Sequence, residues 1–162
     1  MPATTRILAV GAIAGIEPVW RKFINTIALD VYKIDAAVLV GGLGVAQDSE
    51  ARRWMALADE RLADSAIELT IVSAGSEQRA LELPDGRRVP ICSGTDTLEA
   101  VVARERCKLA ICGGDPGSEP RKFWVGDTLC LDPGSDTARG GLCGYVADLV
   151  AGGVMVAQPV RT

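Results

Sequence analysis

Histidine is absent from this chain of 162 residues, and that absence removes several chemistries at once. Ser-His-Asp and Cys-His catalysis, imidazole-ligated zinc and imidazole proton shuttles all need a side chain that the sequence does not have. Aromatic residues are scarce too, at 4%, so the core must be built mainly from Val, Leu, Ile and Ala. No apolar run reaches about 18 residues, which leaves no candidate for a membrane-spanning helix. Met1 to Arg6 lacks the charged-then-apolar order of a secretion signal, and the expectation is a cytosolic protein with no membrane partner. Positive charge is also short: 17 Lys and Arg stand against 21 Asp and Glu, for a net charge of −4. No basic excess favours a nucleic-acid partner.

Five cysteines are present, Cys92, Cys107, Cys112, Cys130 and Cys143. Their number is odd, none forms a CxxC pair, and four lie in or beside apolar runs, so they read as buried reduced thiols. A thiol nucleophile would need a base, and imidazole is missing.

Apolar residues make up 48% of the chain and charged residues 23%, a balance that suits one globular domain over 1–162. Arg6 to Val10 is a short apolar run ending at the turn GAIAG, Gly11 to Gly15, and reads as a buried strand. Pro18 suits a first helical position, and Val19, Trp20, Phe23, Ile24, Ile27 and Ala28 recur at helical spacing. Ala36 to Val40 is a second strand, ending at Gly41-Gly42. Asp48 is placed to cap a helix whose inner face is Ala51, Trp54, Met55, Ala58 and Leu62. Ile67 to Val72 is a third strand, ending at Ala74-Gly75.

Hairpin signals follow. Ala80 to Leu83 and Arg87 to Ile91 flank Pro84-Asp85-Gly86. Asp96 with Glu99 opens a helix burying Leu98, Val101 and Val102. Leu109 to Cys112 is a strand ending at Gly113-Gly114, Lys122 to Val125 and Thr128 to Leu131 form a hairpin, and Leu142 to Leu149 pairs with Val154 to Val160. Strands, helices and antiparallel pairs in this order predict a sheet sandwich flanked by helices.

Four inner strands end in glycine-bearing turns, GAIAG, GGLG, AGSEQ and CGGDP. The carboxyl ends of such strands line the crevice where α/β proteins bind ligands. In order, spacing and length, nearly the whole chain resembles the small calcineurin-like metallophosphoesterases. The resemblance implies an α/β fold, a four-layer α/β/β/α sandwich. The family's D-x-H-G motif is matched by AIAG, with Ala12 and Ala14 at the two ligand positions; its G-D is matched by Gly41-Gly42, with Gly42 where the bridging aspartate belongs. Gly75-Ser76-Glu77-Gln78 stands for G-N-H-D, Ser93-Gly94 for a histidine before glycine, and Gly113-Gly114-Asp115-Pro116 for G-H-x-H. The N-P-G-S turn is visible as Asp132-Pro133-Gly134-Ser135.

The shaping glycines at 15, 41, 75 and 113 remain, while the ligand positions hold Ala, Ala, Gly, Ser, Ser, Gly and Pro. Two dications about 4 Å apart repel by roughly 16 kcal/mol at an effective dielectric near 20. Anionic ligands must offset that repulsion, so no metal site and no cofactor is expected. The cleft would be lined by Ala12, Ala14, Gly42, Ser76, Glu77, Ser93, Gly114 and Asp115. Two readings stay open. One is a non-catalytic module whose cleft or sheet edge binds a small molecule or a protein partner. The other is a metal-independent enzyme (a hydrolase, isomerase or cyclase) using Glu77 or Asp115 as acid or base, their carboxyls raised by burial. The terminal strands also offer an edge for a homo-oligomer. Arg52, Arg53 and Arg61, and Arg87 with Arg88, are either anion grips or solvated faces. Trp20 and Trp54 belong to helix inner faces and Trp124 to an exposed hairpin.

Overall fold

Short runs of branched apolar residues bounded by glycine leave the chain little alternative to strands buried on both faces. The computed structural model describes residues 4–73, 78–83, 86–93, 98–113, 119–134, 142–150 and 153–161. In chain order the elements are β1 (Thr5–Val10), α1 (Glu17–Ala28), β2 (Ala36–Gly41), α2 (Asp48–Arg61), β3 (Glu68–Ser73), β4 (Gln78–Glu82), β5 (Arg88–Ser93), α3 (Leu98–Glu105), β6 (Leu109–Gly113), β7 (Arg121–Val125), β8 (Thr128–Asp132), β9 (Cys143–Val150) and β10 (Gly153–Arg161). They form two five-stranded sheets, ordered β10-β9-β1-β2-β3 and β4-β5-β6-β8-β7. In the first sheet β1, β2 and β3 run parallel, and in the second β5, β6 and β8 do; β9, β10, β4 and β7 are antiparallel additions.

The layers are held by three apolar clusters. Between the sheets, Ile7, Ala9, Val38 and Val40 meet Ile91, Ile111, Leu131 and Tyr145. On the outer face of the first sheet, Leu8, Val10 and Leu39 receive α1 and α2 through Trp20, Phe23, Ile27 and Trp54. On the outer face of the second, Cys92, Ala110, Cys112 and Cys130 receive Leu98, Val101 and Val102 of α3. The architecture is thus a four-layer α/β/β/α sandwich, as expected. Trp20 and Trp54 are fully buried and stack with ring centroids 6.2 Å apart, and the Trp20 Nε1–H donates to the Trp54 carbonyl at 3.0 Å. Trp124 is exposed.

Arg6 faces Asp148 directly across the antiparallel β1–β9 pair, and its Nε donates to Oδ1 at 2.7 Å. This cross-strand contact fixes the register of the terminal hairpin against β1.

Two local expectations need correction. Asp48 is not the cap of α2: Gln47, extended at φ −105 and ψ 132, holds that position, and Asp48 is the first helical residue. There its charge complements the positive helix end instead of closing a side-chain bond. Pro18 is the second residue of α1, behind Glu17. The expected turn residues Pro84 and Asp85, the helix-opening Asp96 and Gly152 lie outside the described residues.

Candidate functional site at the strand ends

The loops after β1 and β2 are joined backbone to backbone. Ile13 N–H donates to the Gly42 carbonyl at 3.2 Å, and Gly15 N–H donates to the Leu43 carbonyl at 2.8 Å. So close is the approach that a Cβ on Gly44 would sit 2.8 Å from Gly15 N and 2.9 Å from Ala14 Cα. Both glycines have φ +73, and Ala14 itself is held at φ +56, a left-handed conformation costing an L-residue about 1–2 kcal/mol. Within this closure Ala12 and Gly42 are buried and Ala14 is exposed. The two alanines therefore do not share one environment.

On the second sheet, Ser93 at the end of β5 lies beside Gly113 at the end of β6, and Ser93 is half-buried. Gly113 has φ +109, and a Cβ there would meet Asp132 Oδ1 at 2.2 Å. The carboxylate of Asp132, at the end of β8, thus rests on the bare backbone of Gly113. It is 5% exposed; Oδ1 accepts from Gly134 N–H at 3.0 Å and Oδ2 from Arg121 Nε at 3.3 Å. Burial, and after it the charge of Asp132, push the Tyr145 hydroxyl above its usual range. Tyr145 pairs with Ala9 near the end of β1, so the parallel strands of both sheets deliver their carboxyl ends to the same end of the sandwich.

The structure therefore brings Ala12, Ala14 and Gly42 together on one sheet and sets Ser93 beside Gly113 and Asp132 on the other. Ser76, Glu77, Gly114 and Asp115 lie outside the described residues. Sequence reasoning assigned Asp132 to a turn and weighed it, with Asp48, Glu77 and Asp115, as an oxygen ligand for a weak single-cation site near the cleft. It makes that turn, through the Gly134 contact, and is also the buried carboxylate of the strand-end region. The signal was present in Leu131-Asp132, a charge at the end of an unbroken apolar run.

These residues do not fit a pair of divalent cations. Ala12, Ala14 and Gly42 have no donor atom in their side chains, Ser93 offers a neutral hydroxyl, and Asp132 is already bound to Gly134 and Arg121. Metal sites of this kind need several carboxylates or imidazoles. Among the described residues no group of three or more acidic or cysteine side chains is placed to hold a metal ion. The thiols are held protonated: burial, with smaller contributions from Asp132, Cys130 and Cys92, pushes Cys112 up to about 12, and burial pushes Cys130 up to about 11. Neither supplies thiolate near neutral pH.

Cavities also lie away from the strand ends. One, of about 390 Å³, runs between α2 and edge strand β3, with Met55, Leu62, Leu69 and Ile71 as walls and Asp59 and Arg79 at its margin. Another, of about 260 Å³, lies at the amino ends of β5 and β6. Of the arginines weighed in the sequence, Arg53 pairs with Glu17 at 2.6 Å and Arg61 donates to Asn25 at 2.8 Å. Both belong to the solvated surface joining α1 and α2.

No protein-family model matches the chain, and no curated protein does. Solved structures do. An archaeal phosphodiesterase aligns with a TM-score of 0.61 at 12% identity, over 98% of this chain and 100% of its own. A predicted phosphoesterase from Streptococcus pneumoniae aligns at 0.57 and 17% identity over 100% of both chains. Vps29 from Entamoeba histolytica, in its complex with zinc, aligns at 0.53 and 16% identity over 97% of this chain and 99% of its own. At such identities the likeness is one of fold.

Proposed function

We propose that this chain, which has the calcineurin-like metallophosphoesterase fold, is a metal-independent, non-catalytic module that binds a small molecule or a protein partner. One observation carries the reading. The loops after β1 and β2 are tied directly to each other, Ile13 to Gly42 and Gly15 to Leu43, and at positions 12, 14 and 42 they carry no side-chain ligand atom. The buried carboxylate nearby serves the backbone of Gly134. Catalysis by this fold's usual route would need charge where methyl groups and hydrogens stand.

Self-association through the terminal hairpin is a weaker reading. β10 is an edge strand, but Pro159 within it removes one donor that a pairing strand would use.

The test is turnover. Purified protein incubated with p-nitrophenyl phosphate and bis-p-nitrophenyl phosphate, with and without manganese, should release no product above the protein-free rate. Release that needs manganese and stops with chelator would overturn the reading, as would metal analysis finding a tightly held cation pair.

A further inference from the structure

Each sheet has two outer strands, so the sandwich presents four edges, β10, β3, β4 and β7. An outer strand leaves part of its backbone N–H and carbonyl groups unpaired, and proteins block such edges with charged residues, lysine above all, or with proline. Three of the four are blocked in that way. β10 carries Pro159 and Arg161, β7 carries Arg121 and Lys122, and β4 carries Arg79 and Glu82. β3 is different. Its sequence, Glu-Leu-Thr-Ile-Val-Ser, has one charge, at the first residue, and no proline. Among the described residues β3 pairs with β2 alone.

Beside this edge lies the cavity of about 390 Å³ under α2. Leu69 and Ile71 face it from β3, with Ile67 just before the strand, and Met55 and Leu62 face it from α2 and its end. All five pack against the outer-face cluster and are only half-buried. Val72, on the other face of the strand, is buried between the sheets. An open backbone edge and an open apolar strip therefore run side by side.

We propose that β3 pairs with β3 of a second copy of this chain, antiparallel and centred on Thr70, so that two five-stranded sheets become one of ten strands. The strand's own sequence selects that occupant. Around Thr70 the order Leu-Thr-Ile presents the same residue classes in both directions, so a two-fold axis there sets Leu69 against Ile71 of the second copy, twice, on the helix side. A one-residue slip would turn the second copy's apolar residues to the opposite face. Charge favours the same register. Glu68 falls opposite Val72, four residues or about 13 Å along the strand from the other Glu68, beyond the roughly 8 Å over which charges act at physiological salt. A register centred on Leu69 would bring the two carboxylates to about 7 Å. This interface is independent of the strand-end reading and stands whether or not those loops turn over a substrate.

Sedimentation at about 0.1 mM should give twice the 17.0 kDa of one chain. Thr70→Cys should form an interchain disulfide under oxidised glutathione, because opposed Cα atoms in an antiparallel pair lie about 4.5–5.5 Å apart, within disulfide reach. Asp127→Cys, in the exposed β7–β8 turn, is the control. Leu69→Lys and Ile71→Glu should each weaken association about thirtyfold or more, because each charge loses water without gaining a partner. Mixed together, the two chains should form a heterodimer in which the new charges are opposed. Circular dichroism checks that both fold; if either does not, Thr70→Cys still decides. The proposal is overturned if the parent is monomeric at about 1 mM, or if Thr70→Cys links no faster than Asp127→Cys. It is overturned too if a folded charged variant associates as the parent does, or if mixing two folded ones restores nothing. A monomer whose β3 amides are protected from exchange by an extended apolar peptide would also overturn it, in favour of a foreign partner.

Discussion

Replacing Gly113 by alanine should be strongly destabilising. The added Cβ would lie 2.2 Å from Asp132 Oδ1 and 2.6 Å from its Cγ, inside any permitted contact, so the carboxylate must move by about 1 Å to reach an ordinary van der Waals separation. Moving it loses the bond from Gly134 N–H, a charge-assisted contact of about 1.5–3 kcal/mol. The Arg121 contact is half-exposed and adds about 0–1 kcal/mol. The backbone at φ +109 costs an L-residue a further 1–3 kcal/mol or so. Together the loss is about 2.5–7 kcal/mol, a large share of the stability of an ordinary domain. Gly126→Ala is the reference, since its φ is +58 and nothing lies within 4 Å of an added Cβ; it should cost about 1–2 kcal/mol. Urea unfolding reads both, as a lowered midpoint at unchanged slope. In the Gly113→Ala, Asp132→Ala double variant the clash is gone, so its cost should fall short of the summed single costs by about 2 kcal/mol. If Gly113→Ala costs no more than Gly126→Ala, or if the double is additive, the carboxylate does not rest on Gly113 as described.

Gly44→Ala should force the β1 and β2 loops apart, because its Cβ meets Gly15 N at 2.8 Å and Ala14 Cα at 2.9 Å; thermal melting should fall by the equivalent of about 2–3 kcal/mol, and faster amide exchange at Ile13 and Gly15 would show where. Trp20→Phe removes the N–H that donates to the Trp54 carbonyl and should cost about 0.5–1.5 kcal/mol for that bond, checked by urea titration, with a neutral result refuting the bond. Cys112 is raised from its ordinary value near 9 to about 12, so the fold keeps a proton that the unfolded chain releases. Its contribution is intact below about pH 9 and is lost as pH rises toward 12, at about 1.4 kcal/mol per pH unit. Cys112→Ala should therefore show a shallower alkaline decline in stability than the parent, and equal slopes would mean that the thiol is not shielded.

Most of the fold was legible because burial on two faces writes itself into composition. Ala36 to Val40 has no polar residue, and glycines close it on the carboxyl side, so only its last residue, Gly41, was left out. The hairpins were legible from Gly126-Asp127 and from the alternation around Pro84-Asp85-Gly86. The division into two sheets was not legible in any local feature. It depends on β6 pairing parallel with β8 while β7 folds back antiparallel, and nothing within those short runs states the partner. The start of α2 was misplaced by one residue because Asp48 looks like a cap, whereas the extended backbone at Gln47 decides the boundary. The cavity at the amino ends of β5 and β6 was invisible for a different reason. Its lining comes from residues 86–89, residues 105–109 and Leu149, three stretches that only the tertiary fold brings together.

The glycines at the strand ends deserve a separate reading from the side chains between them. Gly15, Gly44 and Gly113 are each required by contact: another backbone or a carboxylate stands 2.2 to 2.9 Å from any Cβ they might carry. No metal enters that requirement. It holds in any chain that packs these loops in this way, with or without chemistry at their tips. Positions 12 and 14 are different, since nothing comparable prescribes a side chain there and methyl groups suffice. Glycine spacing in this fold therefore reports how the backbone turns, and only the intervening side chains report what the site can do. In this chain the first signal is present, and at positions 12, 14 and 42 the second carries no ligand atom.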